Sequence, residues 1–271
     1  MEKLKENISK SKDELEGHRL EGPFVIDSIE SLSTIKGIIA ETTDGTLGTL
    51  MHLGRDLKKA EDDLTILAPS IKETLDLLFE WAEAQFMKLA HVVTGQQVEM
   101  TPIEADGFIL DIGGGGEGII GKLNGRQVVA IDLSEQELKE TENEALKIVM
   151  DATDIKFLPS TFDVATSFFT LLYIPRDKQE QVFTEVHRVL KDNGKFLIWD
   201  VNIPENVEGK AFFMVSLEVL LPGETVTTGY GVRLARLDLE HFKDLAGKTG
   251  FGIVDEWCSD NTYYLELVKK S

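Results

Sequence analysis

The chain has 271 residues, of which 42% are hydrophobic, and its formal net charge is −20 at pH 7. This length allows one large domain or a standard domain with an accessory region, and the hydrophobic fraction is sufficient for a packed core. The negative charge disfavours nucleic acid as a partner, because affinity for nucleic acid depends on clustered Lys and Arg side chains.

No segment of the sequence reads as a membrane span or an export signal. The two best apolar runs, Val164–Ile174 and Ala211–Leu221, are far shorter than the roughly 20 residues that a span needs. The N-terminal segment has no apolar stretch of the kind found in secretory signals. Cys258 is the only cysteine, which excludes an intrachain disulfide and fits a reducing compartment. We therefore expect a cytoplasmic protein that does not interact with membranes.

The first hundred residues combine β and helical signals. Two β-like runs flank Thr43-Asp44-Gly45, which is a plausible hairpin turn. A long helix is predicted over Ser70–Val93, because apolar residues recur there close to a heptad spacing. We interpret this stripe as a face that packs on the rest of the molecule, with a dimer seam as the alternative, so the protein is a monomer or a homodimer. Residues 1–104 are predicted to form a mixed α+β accessory region, mostly helical, that acts as a cap.

The second region, residues 105–271, opens with the most informative segment of the chain. An apolar run of strand character, Phe108–Ile112, contains an acidic residue and leads into a loop that is almost entirely glycine, from Gly113 to Gly118. Glycine tolerates sharp turns and lets the backbone approach a ligand. A helix from about Ile119 is expected to direct its N-terminal amides into the same space. This order of strand, glycine turn and helix predicts binding of a nucleotide-like molecule.

Three interpretations of the glycine loop compete. Its glycines satisfy the dinucleotide spacing G-x-G-x-x-G, and Asp132 stands at the end of the next strand. The phosphate-binding P-loop pattern fails at Leu123, where that pattern needs Ser or Thr. The carboxylate of Asp111, two residues before the first glycine of the loop, disfavours a pyrophosphate and favours a sulfonium or an ammonium group. The loop therefore favours a cationic ligand without phosphate.

Strand-like and helical segments alternate over the second region. The predicted strands are Phe108–Ile112, Gln127–Ile131, Leu146–Met150, Phe162–Phe168, Lys195–Val201, Gly252–Trp257 and Tyr263–Val268. Strands joined by helical crossovers lie parallel, so the first five are predicted to form a parallel sheet. Only four residues separate the last two, which are predicted to form an antiparallel hairpin. The fold class is therefore α/β, with a Rossmann-like, mostly parallel sheet that ends in an antiparallel C-terminal hairpin.

Helix signals support this alternation. Ser134 and Glu137 have the spacing of a capping box, in which each side chain bonds the backbone amide of the other residue. The segment Asp177–Leu190 places its apolar residues on one helical face. Asp238 is predicted to cap the helix that follows it.

Ordered motifs over residues 107–270 resemble those of the class I S-adenosylmethionine-dependent methyltransferases. L-D-I-G-G-G at 110–115 is similar to the family's first motif, and A-I-D-L-S at 130–134 is similar to its second strand with the ribose-binding acid. M-D-A at 150–152 resembles the end of the third strand. Residues 162–174 and 185–196 resemble the fourth strand with its loop and the helix that leads into the fifth strand. The resemblance implies an enzyme with S-adenosylmethionine as its cofactor.

The resemblance also implies a cofactor site. In it, Asp132 binds both ribose hydroxyls and Asp151 contacts the adenine amino group. The predicted cofactor-binding residues are Asp111, Gly113, Gly114, Gly115, Glu117, Asp132, Leu133, Asp151, Ala152, Ser167 and Phe168. The chain departs from the family at Glu117, where a third glycine is usual. This side chain either points toward the ligand or faces solvent.

Methyl transfer from a sulfonium is an in-line displacement, for which the protein mainly supplies alignment. A general base is needed only when the acceptor arrives protonated, and no residue pattern specifies one. Tyr173, in the loop after the fourth strand, and Asp200, at the end of the fifth strand, are the catalytic candidates, because both lie at the catalytic edge. No metal is predicted, since the five histidines lack ligand spacing. The predicted function is methyl transfer to an unidentified small-molecule acceptor. The alternatives are an NAD-dependent oxidoreductase and a non-catalytic S-adenosylmethionine-binding regulatory protein.

Overall fold

The computed structural model describes residues 86–259 and 261–270. The chain divides into two compact units, residues 1–90 and 91–271, and the described residues fall almost entirely in the second. The predicted hairpin around Thr43 and the part of the predicted helix before Phe86 lie outside the described residues. The predicted boundary between residues 104 and 105 stays a prediction.

The described residues form ten strands arranged in two sheets. In chain order they are β1 (Ala90–Glu99), β2 (Ile109–Ile112), β3 (Val128–Asp132), β4 (Leu146–Val149), β5 (Phe162–Phe168), β6 (Leu190–Val201), β7 (Phe212–Leu221), β8 (Glu224–Arg233), β9 (Phe251–Cys258) and β10 (Thr262–Lys269). The larger sheet has the order β4-β3-β2-β5-β6-β10-β9. Its first five strands are parallel, and β10 runs antiparallel to both β6 and β9. The predicted parallel sheet with an antiparallel C-terminal hairpin is confirmed.

Four helices, two 3₁₀ turns and the helical residues 86–89 make up the rest of the described secondary structure. The helices are α1 (Ile119–Asn124), α2 (Glu135–Glu140), α3 (Arg176–Val189) and α4 (Leu239–Lys248), and the 3₁₀ turns are Gly125–Gln127 and Leu171–Tyr173. The predicted apolar face of α3 is buried at Val182, Phe183, Val186 and Val189. All four residues of β2 are buried as well. Burial on both faces is expected of a central strand in a parallel sheet that helices cover on each side.

The helix caps confirm one prediction and correct part of another. Asp238 accepts a hydrogen bond from the backbone amide of His241 at 3.0 Å and caps α4 as predicted. The Ser134 hydroxyl accepts from the amide of Glu137 at 3.2 Å, but the reciprocal half of the capping box is wrong. The Ser134 amide donates instead to Asp132 Oδ1 at 2.8 Å, because an aspartate two residues earlier reaches that amide through a short local turn.

A second sheet, which the sequence analysis did not predict, contains β1, β7 and β8 in the order β1-β7-β8. Strands β7 and β8 are antiparallel and are joined through Pro222 and Gly223, and Gly223 has φ of 93°. Buried residues alternate along β7, at Phe213, Val215, Leu217 and Val219. This period of two is the signature of a strand with one face against the core. The run that was too short to span a membrane is therefore half of a hairpin.

The predicted helix over Ser70–Val93 ends early. Helical residues stop at Leu89, and β1 begins at Ala90. The β-branched run Val92-Val93-Thr94 favours a strand over a helix. Beyond it, Gln97 Nε2 donates to Glu218 Oε2 on β7 at 2.7 Å. The apolar residue Val93 fits the heptad spacing of the predicted helix, but it lies in a strand of the second sheet.

Candidate functional site

The glycine loop lies at the carboxyl edge of the larger sheet. The amides of Gly113 and Gly114 both donate to the carbonyl of Ile131 on β3, at 2.8 and 3.1 Å. Gly113 has φ of 73°, and a Cβ added to it would lie 2.3 Å from the side chain of Thr170. A residue with a side chain does not fit there, so the loop packs tightly between β3 and the segment that follows β5.

Asp132 ends β3 beside this loop and is half-buried. Its Oδ1 accepts from the amide of Ser134 at 2.8 Å, and its Oδ2 accepts from the amide of Gly115 at 3.3 Å. A Cβ on Gly115 would lie 3.0 Å from Asp132 Oδ2. The two amides therefore hold the carboxylate in place, next to the backbone of Gly115. An ionised carboxylate has about four acceptor positions, so both oxygens keep capacity for further donors.

Asp111 lies beneath the loop. Its carboxyl group is buried, and Oδ1 accepts from Thr166 Oγ1 at 2.8 Å. Burial raises the pKa of Asp111 to about 7, with the hydrogen bond from Thr166 acting against it and the charge of Asp132 adding to it. A Cβ on Gly114 would lie 2.7 Å from Asp111 Oδ2. The carboxyl group is thus separated from the open edge by glycine backbone, and it titrates near neutral pH.

The two predicted adenine-side residues follow β4. Asp151 is exposed, and its Oδ1 accepts from both the amide and the hydroxyl of Thr153, each at 2.8 Å. These bonds, the amide first, lower the pKa of Asp151. Ala152 is half-buried. Leu133 is 71% exposed directly after Asp132. The structure thus leaves an apolar side chain and an ionised carboxylate open to solvent on the β3 and β4 side of the edge.

The predicted cofactor residues of β5 are enclosed by protein. Ser167 is fully buried, and within the described part of the chain its Oγ has no hydrogen-bond partner. Phe168 is 8% exposed and meets Phe169 edge to face at 4.9 Å. Phe169 itself is buried and has φ of 49°, a backbone conformation that is uncommon outside glycine.

The catalytic candidates Tyr173 and Asp200 lie close to one another. Tyr173 is 52% exposed, and its Oη accepts from the amide of Gly231 on β8 at 3.2 Å. Its pKa is raised, mainly by burial and further by the charge of Asp200. The 3₁₀ turn that carries Tyr173 therefore brings its hydroxyl within the electrostatic reach of Asp200.

Asp200 differs from Tyr173 in being fully buried. Its Oδ1 accepts from the amide of Val201 at 2.8 Å, whereas its Oδ2 receives no well-formed hydrogen bond from the described residues. Burial raises the pKa of Asp200 to about 7, against the lowering effect of the amides of Val201, Leu172 and Leu171. The carboxyl group thus lies under the turn that carries Tyr173 and has no open surface of its own.

Strand β8 contributes site residues that sequence reasoning missed. Thr228 Oγ1 donates to Glu117 Oε1 at 2.5 Å, and the ring of Tyr230 stacks on Phe169 with centroids 5.0 Å apart and an interplanar angle of 6°. Glu117 is thus bonded to a strand, a contact that the sequence did not predict. The available signal was alternation in β8, which places residues 228 and 230 on one face.

A cleft of about 550 Å³ opens where β6 ends. Its lining includes His91, Asn202, Ile203, Pro204, Glu205, Arg236, Asp238 and Asn261. Arg236 Nε and Asp238 Oδ2 form an ion pair across 2.7 Å in this lining. Among residues 86–259 and 261–270, no cluster of three or more His, Cys, Asp or Glu side chains has the arrangement of a metal site. The helices in these ranges are also too short or too polar to cross a membrane.

Comparison with known proteins assigns this edge of the sheet to a family. Residues 110–198, which run from β2 to the middle of β6, match the model of the methyltransferase domain family. Residues 110–198 are therefore similar to a methyltransferase domain. A curated relative, the ubiquinone/menaquinone biosynthesis C-methyltransferase UbiE of Blochmanniella pennsylvanica, is 32% identical over 122 residues, which is 42% of this chain and 47% of the relative.

Solved structures resemble the methyltransferase domain as well. The PH0226 protein of Pyrococcus horikoshii is 22% identical and has a TM-score of 0.45, covering 60% of this chain and 82% of its own. A SAM-dependent methyltransferase of Methanosarcina mazei is 18% identical with a TM-score of 0.46, covering 62% of this chain and 95% of its own. The chain spans about half, or less, of the length of the curated relatives that it matches.

The predictions of a class I, S-adenosylmethionine-dependent methyltransferase domain and of its cofactor are confirmed. The observed geometry fits that cofactor. Asp132 is half-buried and keeps acceptor capacity for two ribose hydroxyls, and a side chain at Gly115 would fill the space beside it. A nicotinamide dinucleotide fits less well, because the loop lies against the carboxyl group of Asp111 and holds its glycines close to acids.

Proposed function

We propose that the protein is an S-adenosylmethionine-dependent methyltransferase that acts on a small molecule. The observation that carries this proposal is the position of Asp132, held by the amides of Gly115 and Ser134 at the carboxyl edge of a parallel sheet. In open α/β sheets this edge is where ligands bind. The family match of residues 110–198 supports the same conclusion.

S-adenosylmethionine supplies an already activated methyl group when it is bound. The chain's own residues bind and orient it. Asp132 accepts from the ribose hydroxyls, and Asp151 accepts from the exocyclic amino group of the adenine, to which Leu133 presents an apolar surface. Asp111 supplies a carboxyl group with a pKa of about 7 under the loop. A positive charge held over the loop would favour its ionised form.

For the catalytic candidates we propose different roles. Tyr173 is half-exposed. Its Oη accepts from the amide of Gly231, so that bond does not use the hydroxyl's own hydrogen. It is therefore able to contact an acceptor. Asp200 is fully buried, so it acts through the turn that carries Tyr173. We assign Asp200 as a positioning residue.

Three features support a small-molecule acceptor. The net charge of −20 opposes binding to nucleic acid. The cleft of about 550 Å³ beyond β6 has the size of small-molecule sites in general. The relative UbiE is named for quinone biosynthesis. We further propose that residues 1–104 form a cap, that the protein is a monomer or a homodimer, and that it is located in the cytoplasm.

An activity assay distinguishes an enzyme from a non-catalytic S-adenosylmethionine-binding protein. The full-length protein is incubated with S-adenosylmethionine and pooled small-molecule acceptors, and S-adenosylhomocysteine is measured by mass spectrometry. We expect product above the rate of a no-protein control, and a loss of that product with Asp132→Ala. Binding of S-adenosylhomocysteine without turnover on any pool would favour the non-catalytic alternative.

A further inference from the structure

Strand β8 contacts the glycine loop through an acidic side chain that the cofactor site does not explain. Glu117 follows the loop glycines, and its Oε1 accepts from Thr228 Oγ1 at 2.5 Å. This bond turns the carboxylate toward β8. The second oxygen, Oε2, has no hydrogen-bond or ion-pair partner among the described residues.

No described cation neutralises Glu117. Lys122, on the following helix α1, pairs with Glu224 at 3.6 Å. Arg233, at the end of β8, lies over the ring of Phe212 at 6.0 Å. The carboxyl group of Glu117 therefore has no cationic partner among the described residues, at a position that is partly open to solvent.

Two tyrosines lie within the electrostatic reach of this carboxyl group. Tyr230 is half-buried, and Tyr173 meets it edge to face at 6.5 Å and 64°. The amide of Gly231 fixes the Tyr173 hydroxyl at 3.2 Å, and the stack on Phe169 fixes the Tyr230 ring. We name Glu117, Tyr173 and Tyr230 the acid–tyrosine cluster.

The electrostatic field around the acid–tyrosine cluster is negative. Glu117 and Asp200 both raise the pKa of Tyr173 and of Tyr230, after burial as the main cause. Asp200 adds a second carboxyl group, which is fully buried and whose Oδ2 receives no well-formed hydrogen bond from the described residues. Aromatic faces and carboxylates in a partly desolvated site both stabilise a positive charge.

We propose that the acid–tyrosine cluster binds the methyl acceptor through a positively charged amine. The acceptor class is then a small organic molecule that arrives as an ammonium ion, with Glu117 as the counter-ion and the two tyrosine rings around the cation. An acceptor with a carboxylate or phosphate at this point would be repelled. This inference rests on the proposed function, since it names the acceptor of the same site.

The test measures binding of three matched probes to the full-length protein saturated with S-adenosylhomocysteine. Benzylamine, which is an ammonium ion at neutral pH, is compared with neutral benzyl alcohol and with benzoate by calorimetry or ligand-observed NMR. We expect benzylammonium to bind about tenfold more tightly than benzyl alcohol, and benzoate to bind more weakly than either.

Two variants assign the effect to the cluster. Glu117→Gln removes the charge and keeps an oxygen for Thr228, so we expect the preference for benzylammonium to disappear. Glu180→Gln makes the same change of charge at an exposed position on α3, and we expect the preference to remain. Circular dichroism of both variants checks the fold.

Several outcomes would overturn the inference. They are equal affinity for benzylammonium and benzyl alcohol, absence of benzylammonium binding at millimolar concentration, and a preference that survives in Glu117→Gln. A loss of affinity for S-adenosylmethionine alone in that variant would show that Glu117 serves the sulfonium and would also overturn it. Failure of the protein to bind S-adenosylhomocysteine in the first step would contradict the proposed function itself, which separates the two.

Discussion

At the scale of single residues, the candidate site depends on carboxyl groups whose surroundings differ. Asp132 is half-buried and held by two backbone amides, Asp151 is exposed, and Asp111 and Asp200 are buried. The first two have oxygens that are able to accept hydrogen bonds from a ligand. The second two titrate near pH 7, so their charge responds to pH and to a bound ligand.

The substitution Asp132→Ala tests the ribose contact. We expect it to weaken binding of S-adenosylhomocysteine by about 1.5–3 kcal/mol, the usual scale of hydrogen bonds to a charged group. Helix α2 should persist, because Ser134 still accepts from the amide of Glu137. Calorimetric titration measures the affinity, with Asp192→Ala, an exposed acid, as the control. Wild-type affinity in Asp132→Ala would show that the ribose-binding residue lies elsewhere.

Stability should depend on pH through the buried carboxyl groups. Because burial raises the pKa of Asp200 to about 7, the native state holds more protons than the unfolded state between about pH 4 and pH 7. The contribution of this group to the free energy of unfolding therefore decreases as pH rises through that window and levels off above it.

The substitution Asp200→Asn isolates this effect. We expect it to raise the free energy of unfolding, relative to wild type, by about 2–4 kcal/mol more at pH ~8 than at pH ~5. Urea denaturation at the two pH values measures the difference. The same difference between variant and wild type at both pH values would mean that Asp200 is ionised in the native state across the whole range.

At the scale of elements, the hairpin β7–β8 covers the loop through the bond between Thr228 and Glu117. Thr228→Val keeps the shape of the side chain and removes the donor, and we expect a loss of about 1–2 kcal/mol in the free energy of unfolding. Thr227→Val, at the exposed neighbouring position, is the control and should change it by less than about 0.5 kcal/mol. Equal effects would indicate that the bond does not stabilise the hairpin.

The elements that the sequence predicted are those with strong local patterns. The strands of the large sheet and the buried face of α3 follow from runs and periods that are visible in the chain. Strand β1 was missed because its first residues continue a helical spacing. Hairpin β7–β8 was missed because its apolar run was judged by length and not by its alternation.

The site residues also divide into those that a local sequence pattern predicted and those that depend on long-range contacts. Asp111 and Asp132 were found because each lies at or near the end of a strand next to the glycine loop, which is a local pattern. The contact between Glu117 and Thr228 spans 111 positions in the sequence, and no spacing rule reports a contact of that range. Likewise, burial of Asp200 depends on the turn at residues 171–173 and not on its own neighbours.

At the scale of the whole molecule, the boundary of the domain can be tested by truncation. A fragment of residues 86–271 keeps β1, whereas a fragment of residues 101–271 loses it and leaves an edge of β7 without its neighbour. Exposed strand edges promote aggregation. We expect the longer fragment to stay soluble and to bind S-adenosylhomocysteine, and the shorter one to aggregate. Size-exclusion chromatography compares the two, and equal behaviour would show that β1 is dispensable.

The most direct test of the proposed cofactor is calorimetric titration of the full-length protein with S-adenosylhomocysteine and, separately, with NADH. We expect saturable one-site binding of S-adenosylhomocysteine, a melting temperature that rises with its concentration, and no binding of NADH. Binding of NADH together with no response to S-adenosylhomocysteine at millimolar concentration would contradict the proposed cofactor.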